Sequence, residues 1–121
     1  MIQERSIIKV ADNSGAKTVR CFRIPGGTRR RYARIGDILV ASVQVAEPRK
    51  QVKKKDIIRA LVVRTRNPLR RPDGSVVRFD ENAVVLVDKK EPRGTRVFGP
   101  IPREIKEKGY DAIASLAEEL V

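Results

Sequence analysis

Short runs of alternating β-branched and polar residues, cut by turn-forming residues, constrain the fold of this chain more than any other feature. Val and Ile recur at period two over residues 6–11, 17–24, 37–45, 57–65, 76–79 and 83–88, the spacing that sends successive side chains to opposite faces of a strand. Asp12-Asn13-Ser14-Gly15, Pro25-Gly26-Gly27, Pro72-Asp73-Gly74 and Glu81-Asn82 separate these runs. Gly and Asn tolerate positive φ, and Pro presets the first turn residue. Short strands joined this way form either two packed sheets or one sheet closed on itself. Closure removes the exposed edges that would pair between chains, so the sequence predicts a mainly β fold, a small closed barrel.

The pattern changes after Glu91-Pro92. Pro92, Gly94, Gly99, Pro100 and Pro102 predict an ordered loop without a regular ladder. Pro102 suits the first turn of a short helix reaching Lys108, which Gly109 would close. A second helix is expected from Asp111 as N-cap, with Ile113, Leu116, Ala117 and Leu120 on one face docking against the barrel. The division expected is a barrel over residues 1–90 and a C-terminal loop with two short helices over 91–121, within one domain. A chain of 121 residues that is 40% hydrophobic buries roughly two thirds of its unfolded surface and is expected to fold alone. Cys21 lies in an apolar run, so a buried, inert thiol is expected.

Charge sits between the apolar runs. There are 27 Lys and Arg against 15 Asp and Glu, a formal charge of +12, and self-repulsion on that scale calls for a polyanionic partner. Residues 101–121 carry a net −2, which leaves +14 on the first hundred. The acidic end either turns away from the polyanion, meets another protein or forms a solvated helix face.

Arg29, Arg30, Arg31 and Arg34 follow the Pro-Gly-Gly turn, where guanidinium groups can fork onto phosphates. Arg49, Lys50, Lys53, Lys54 and Lys55 form a second cluster, suited to diffuse phosphate attraction. Arg64 and Arg66 alternate with Val63 and Thr65 and so share one face of a strand end. Arg70 and Arg71 continue that patch into the next turn, as a phosphate rail, and Arg93 and Arg96 add a further basic loop. The chain has three Phe, two Tyr and no Trp, too few for a single-strand reader that stacks bases on exposed rings. Phe22, Phe79 and Phe98 are expected in the core. Tyr32 is the expected exposed ring, and both stacking on a base and lying against the barrel stay open for it. The expected mode is recognition of backbone and shape in a structured nucleic acid, with strong salt dependence.

Catalysis has little to work with. The chain has no His and one Cys, which removes the usual general base, the commonest metal ligand and the commonest thiol nucleophile. Asp80 and Glu81 are neighbours that point apart in a strand, and Asp12 and Asp73 are read as turn-capping residues. Gly94-Thr95-Arg96-Val97-Phe98-Gly99 lacks the Lys and Ser/Thr that a nucleotide-binding loop needs after its last glycine. No enzyme activity, cofactor, metal site or small-molecule substrate is expected. No apolar stretch approaches the roughly 20 residues of a membrane span, and the first residues lack the apolar core of a signal peptide, so no membrane partner and a cytoplasmic location are expected.

Several strings occur in one order: Val10-Ala-Asp-Asn-Ser-Gly-Ala16, Gly26-Gly-Thr-Arg-Arg-Arg-Tyr-Ala33 with Gly36-Asp37, Val62-Val-Arg-Thr65, Arg70-Arg-Pro-Asp-Gly-Ser75, Arg78-Phe-Asp80 and Pro92-Arg-Gly-Thr-Arg-Val-Phe-Gly-Pro100. Together, over essentially the whole chain, they resemble the universal large-subunit ribosomal protein number fourteen in its bacterial form. The resemblance implies a five-stranded barrel with a C-terminal extension of loop and short helices, and binding to large-subunit ribosomal RNA without enzyme activity. It also implies a place in the ribosome at the face between the subunits, beside large-subunit proteins three and nineteen and touching small-subunit rRNA. A ribosome silencing factor docks on members of this family at positions matching Thr95 and Arg96. This sequence departs from the pattern at Ala112, where many relatives have Lys, at Lys50 and Lys55, where Gly is common, and at Glu118, where Pro is usual. The last change is expected to let the final helix run further. On charge alone, the competing reading is a DNA-architectural barrel, which would show no preference for duplexes bearing 2′-hydroxyls.

Overall fold

The computed structural model describes residues 2–26, 32–48, 52–89 and 91–121. Five strands form the barrel: β1 (Ile7–Val10), β2 (Ala16–Arg23), β3 (Ile38–Ala46), β4 (Ile57–Arg64) and β5 (Ala83–Asp88). Five of the six expected runs yield these strands to within a residue or so, and the run over 76–79 yields only Val76–Val77. Neighbours from β1 to β5 all pair antiparallel in chain order, β4 and β5 being joined through the projecting hairpin described below. Parallel pairing of β1 with β5, Lys9 opposite Ala83 and Val10 opposite Val84, closes the ring. Register shifts in β2–β3 and at the end of β4–β5 supply the local bends that closure needs.

Alternation fills the barrel interior with Ile8, Val10, Val19, Cys21, Leu39, Ala41, Val43, Ile58, Ala60, Val62, Val84 and Leu86. Cys21 is fully buried, and that burial pushes its thiol pKa up, which fits the expected inert role. The other faces of β4 and β5 are buried as well. Leu61, Val63, Val85 and Val87 pack there with Val97, Ile101, Ile105, Tyr110 and Ile113 of the C-terminal segment. Two strands therefore sit between two apolar layers, the arrangement that removes alternation from their sequence.

Leu69–Arg70 and Val76–Val77 form a hairpin between β4 and β5. Asp73 closes its tip by accepting bonds from Ser75 N–H (2.9 Å) and Ser75 Oγ–H (2.6 Å), and Gly74 supplies the positive φ of 92°. Tyr32–Ala33 pairs with Ile2–Gln3 as a short ladder at one end of the barrel.

The C-terminal segment departs from expectation in two places. Val97–Ile101 is a strand, where Gly99 and Pro100 predicted a loop. It pairs in parallel with Ala117–Leu120, and a register shift between Val97 and Pro100 accommodates the two residues. Gly99 N–H finds the Glu118 carboxylate at 3.0 Å in place of a ladder carbonyl. The helices α1 (Glu104–Glu107) and α2 (Asp111–Leu116) form as expected, but the second stops early. Ala117 turns extended at ψ 147°, so Glu118 and Leu120 belong to the strand beside Val97–Ile101, and Leu120 is exposed. Replacing proline by Glu at 118 thus extends no helix; the Glu serves the strand pair. Tyr110, not Asp111, occupies the N-cap of α2.

Candidate nucleic-acid interface

The expected basic residues divide by what their heads touch. Arg34, Lys53, Lys54, Lys55, Arg66, Arg70, Arg93 and Arg96 are exposed. Carboxylates shape the turns that present two of these groups. Asp37 Oδ2 accepts the Arg34 N–H at 2.8 Å, and Asp56 Oδ2 accepts the Lys53 N–H at 2.9 Å. Lys55 takes a left-handed φ of 72°, which turns the chain back toward β4. Arg66 is anchored through its Nε to the Asp80 carbonyl at 3.0 Å. Arg29, Arg30, Arg31, Arg49 and Lys50 lie outside the described residues.

Arg64 and Arg71 do not join Arg66 and Arg70 on a continuous rail. Arg64 is only 7% exposed. Its Nη1 donates to the Phe98 and Pro100 carbonyls at 2.8 and 3.1 Å, and its Nη2 lies 3.6 Å from Glu81. Burial lowers its pKa, against the raising effect of Glu81 and Glu118. Among the described residues Nε finds no partner. The strand ends at Arg64, so the alternation expected to put Arg64 and Arg66 on one face does not run to Arg66, which lies in a bend, and the C-terminal strand covers Arg64. Arg71 reaches Glu104 at 2.9 Å and donates to the Val121 main-chain oxygen at 2.6 Å, which ties the hairpin to α1 and the chain end.

The loop bearing Thr95 and Arg96 is preformed by a residue passed over in the sequence. Asn13 Oδ1 accepts the N–H groups of Thr95 (2.7 Å) and Arg96 (3.0 Å), and its Nδ2 donates to Thr95 Oγ1 at 2.8 Å. The signal was the Asx-type turn sequence itself, although the partner lies 82 residues away. Asp12, read as a local cap, does accept Ser14 N–H and Oγ–H, but it is buried and also accepts Leu86 N–H at 3.0 Å. Burial raises its pKa more than these bonds and the Arg93 charge lower it.

Aromatic placement also differs from expectation. Tyr32 is 45% exposed, yet Phe22 and Phe98 are nearly as open, at 44% and 43%; only Phe79 packs against the core. Phe22 sits on the outer face of β2, whose alternation carries Arg20 outward with it. Phe98 lies under the Arg96 guanidinium, 5.9 Å from the ring centroid. Asp80 and Glu81 occupy a bend between the hairpin and β5, where Glu81 pairs with Lys9 at 3.4 Å and with Arg64. Among the described residues no three His, Cys, Asp or Glu side chains gather as a metal-binding group.

The model for ribosomal protein L14p/L23e matches residues 1–121. The chain belongs to the ribosomal protein L14p/L23e family. As a member it is a structural, non-enzymatic constituent of the large ribosomal subunit, located in the ribosome among rRNA and other ribosomal proteins. No helix of the described residues is long and apolar enough to cross a membrane.

Proposed function

We propose that this L14p/L23e family member binds large-subunit rRNA through its basic turns and supports subunit assembly and association at the intersubunit face. The observation that carries the reading is the sorting of its cations. Arg64 and Arg71 are consumed inside the protein, whereas Lys53, Lys54, Lys55, Arg66, Arg93 and Arg96 stand exposed on turns and loops and Arg70 on a hairpin strand. Such groups exchange condensed counterions for phosphates at little conformational cost to the fold. Arg34 is exposed as well, and Arg29, Arg30, Arg31, Arg49 and Lys50 are assigned to the same role on sequence alone.

Within the particle we assign it the bacterial form of the family, a cytoplasmic location and neighbours in large-subunit proteins three and nineteen and small-subunit rRNA. Residues 1–121 act as one domain. The Asn13 clasp supports a docking role for Thr95 and Arg96 toward a ribosome silencing factor, because a preordered loop loses little entropy on binding. Ultraviolet crosslinking in intact cells, followed by sequencing of the attached RNA, tests the reading. Dominant crosslinks are expected in large-subunit rRNA, with a minority from small-subunit rRNA. Recovery of genomic DNA in their place would overturn it in favour of a DNA-architectural barrel.

A further inference from the structure

An open cleft of about 1020 Å³ separates Tyr32–Ile35 from the root of the hairpin. Its construction follows from three distant segments. Ladder pairing of Ile2 with Ala33 and Gln3 with Tyr32 buries Ala33 and turns the Tyr32 ring outward. Behind that ring the chain bends at Gly36, whose φ of 87° leaves no Cβ where the Lys108 side chain now lies. Lys108 thereby reaches over from the end of α1, with its Nζ 3.4 Å from the Ile35 carbonyl. The opposite wall is Asn67-Pro68-Leu69-Arg70, fixed by a Thr65 Oγ–H bond to the Asn67 carbonyl at 3.1 Å.

The lining is chemically specific. Ile35 is buried and Leu69 half-buried, giving an apolar floor beside an exposed aromatic ring. Asn67 lines the cleft, and its carboxamide, which carries both donors and an acceptor, makes no hydrogen bond within the described residues. Arg34, Arg70 and Lys108 surround the mouth. Two acids line the cleft as well: Glu104 pairs with Arg71 at 2.9 Å, and Asp37 Oδ2 accepts the Arg34 N–H at 2.8 Å. A second groove, beside Arg64, has the same count of cations and acids, but its Arg64 is held by the Phe98 and Pro100 carbonyls and its Lys9 by Glu81.

We infer that this cleft receives one unpaired, extruded nucleotide of ribosomal RNA, its base against Tyr32 with an edge at Asn67 and its phosphates between Arg34, Arg70 and Lys108. This rests on the rRNA-binding reading and adds a shaped subsite to it. A flat ring, an unpaired amide and a positive rim match a base, its edge and its phosphate, and unpaired RNA is where sequence can be read. An acidic protein segment would use the cations alone and leave the ring and the amide idle.

The test is filter binding of the purified full chain to a large-subunit rRNA transcript across a potassium chloride series. Tyr32→Ala is expected to weaken binding by about 5- to 150-fold with an unchanged salt slope, since stacking releases no counterions. Tyr32→Phe should bind within about twofold of the parent, because a phenyl ring stacks as well. Arg70→Gln should reduce the slope by about 0.7, one phosphate contact on an unpaired strand. Tyr32 pairs with Gln3 through backbone groups that alanine retains, so the alanine variant keeps its ladder. Tight binding by the parent with no loss in Tyr32→Ala, or a loss matched by Tyr32→Phe, overturns the inference and leaves the rRNA reading standing. A parent chain that ignores the transcript at low salt overturns the rRNA reading itself.

Discussion

Arg64 and Gly99 show how much of this molecule turns on single side chains. Gly99 has φ 80°, and a Cβ there would strike the Arg64 guanidinium that its neighbours' carbonyls hold. Gly99→Ala therefore meets both backbone strain and a blocked site, and a loss of about 2–4 kcal/mol in urea unfolding is expected. Arg64→Leu leaves two carbonyls unbonded and should cost a similar amount, about 2–4 kcal/mol, while leaving the salt slope of rRNA binding unchanged. A lowered slope would show that Arg64 reaches phosphate after all. Asp12 adds a pH dependence of definite sign. Its folded pKa lies above the ordinary 3.8 because desolvation outweighs its hydrogen bonds. The native state therefore holds this proton more tightly than the unfolded chain, and the contribution of Asp12 to stability, complete below the unfolded pKa, declines as pH rises through the folded one. Unfolding free energies of the parent minus those of Asp12→Asn, measured from pH 3.5 upward, should fall with pH; a rise would mean that the Ser14 and Leu86 bonds outweigh burial.

At the scale of elements, what local chemistry specifies was legible and what distant pairing specifies was not. The strands β1 to β5 follow from alternation and turn residues because the pleat is a local property. Period-two alternation gives the Ala83–Val87 run one buried face, whereas the structure buries both. Val97–Ile101 escaped because Gly99 and Pro100 argue locally against a ladder, whereas the partner strand that supports it lies some 20 residues further on. The helical spacing of Ile113, Leu116, Ala117 and Leu120 is real for the first two and accidental for Leu120, since i, i+3 and i+4 positions do not mark where a chain leaves a helix. Part of the interface behaved likewise. Exposure at Arg66 followed from its place in a bend, and Arg70 is exposed on a hairpin strand where a turn was expected, but the depth of Arg64 depended on a covering strand that composition could not announce. Asn13 is the element-scale device most open to test. Asn13→Ala removes the side chain that accepts the Thr95 and Arg96 N–H groups, at about 1–2 kcal/mol locally. Hydrogen exchange at those two amides should accelerate by about 5- to 30-fold, with β1 to β5 unaffected.

For the molecule as a whole, a formal charge of +12 on 121 residues makes salt act in opposite directions on the free and bound chain. In the free protein the exposed Lys53, Lys54 and Lys55 turn, Arg93 and Arg96 repel one another through water, and screening over about 10 Å at 0.1 M relieves that repulsion. Its unfolding free energy is therefore expected to increase with potassium chloride. Binding to rRNA moves the other way, because each neutralised phosphate releases counterions; with about six to ten contacts, affinity falls by roughly 10³- to 10⁵-fold between about 50 and 200 mM. The two effects share their residues. Replacing Lys53, Lys54 and Lys55 together by Gln should flatten the stability increase and, if all three meet phosphate, cut the binding slope by about 2.7. Chemical denaturation and filter binding over the same salt series measure both on one preparation. A flatter stability curve with an unchanged binding slope would place the lysine turn away from RNA, and the phosphate contacts would then fall to the arginines at the hairpin root and the Thr95–Arg96 loop.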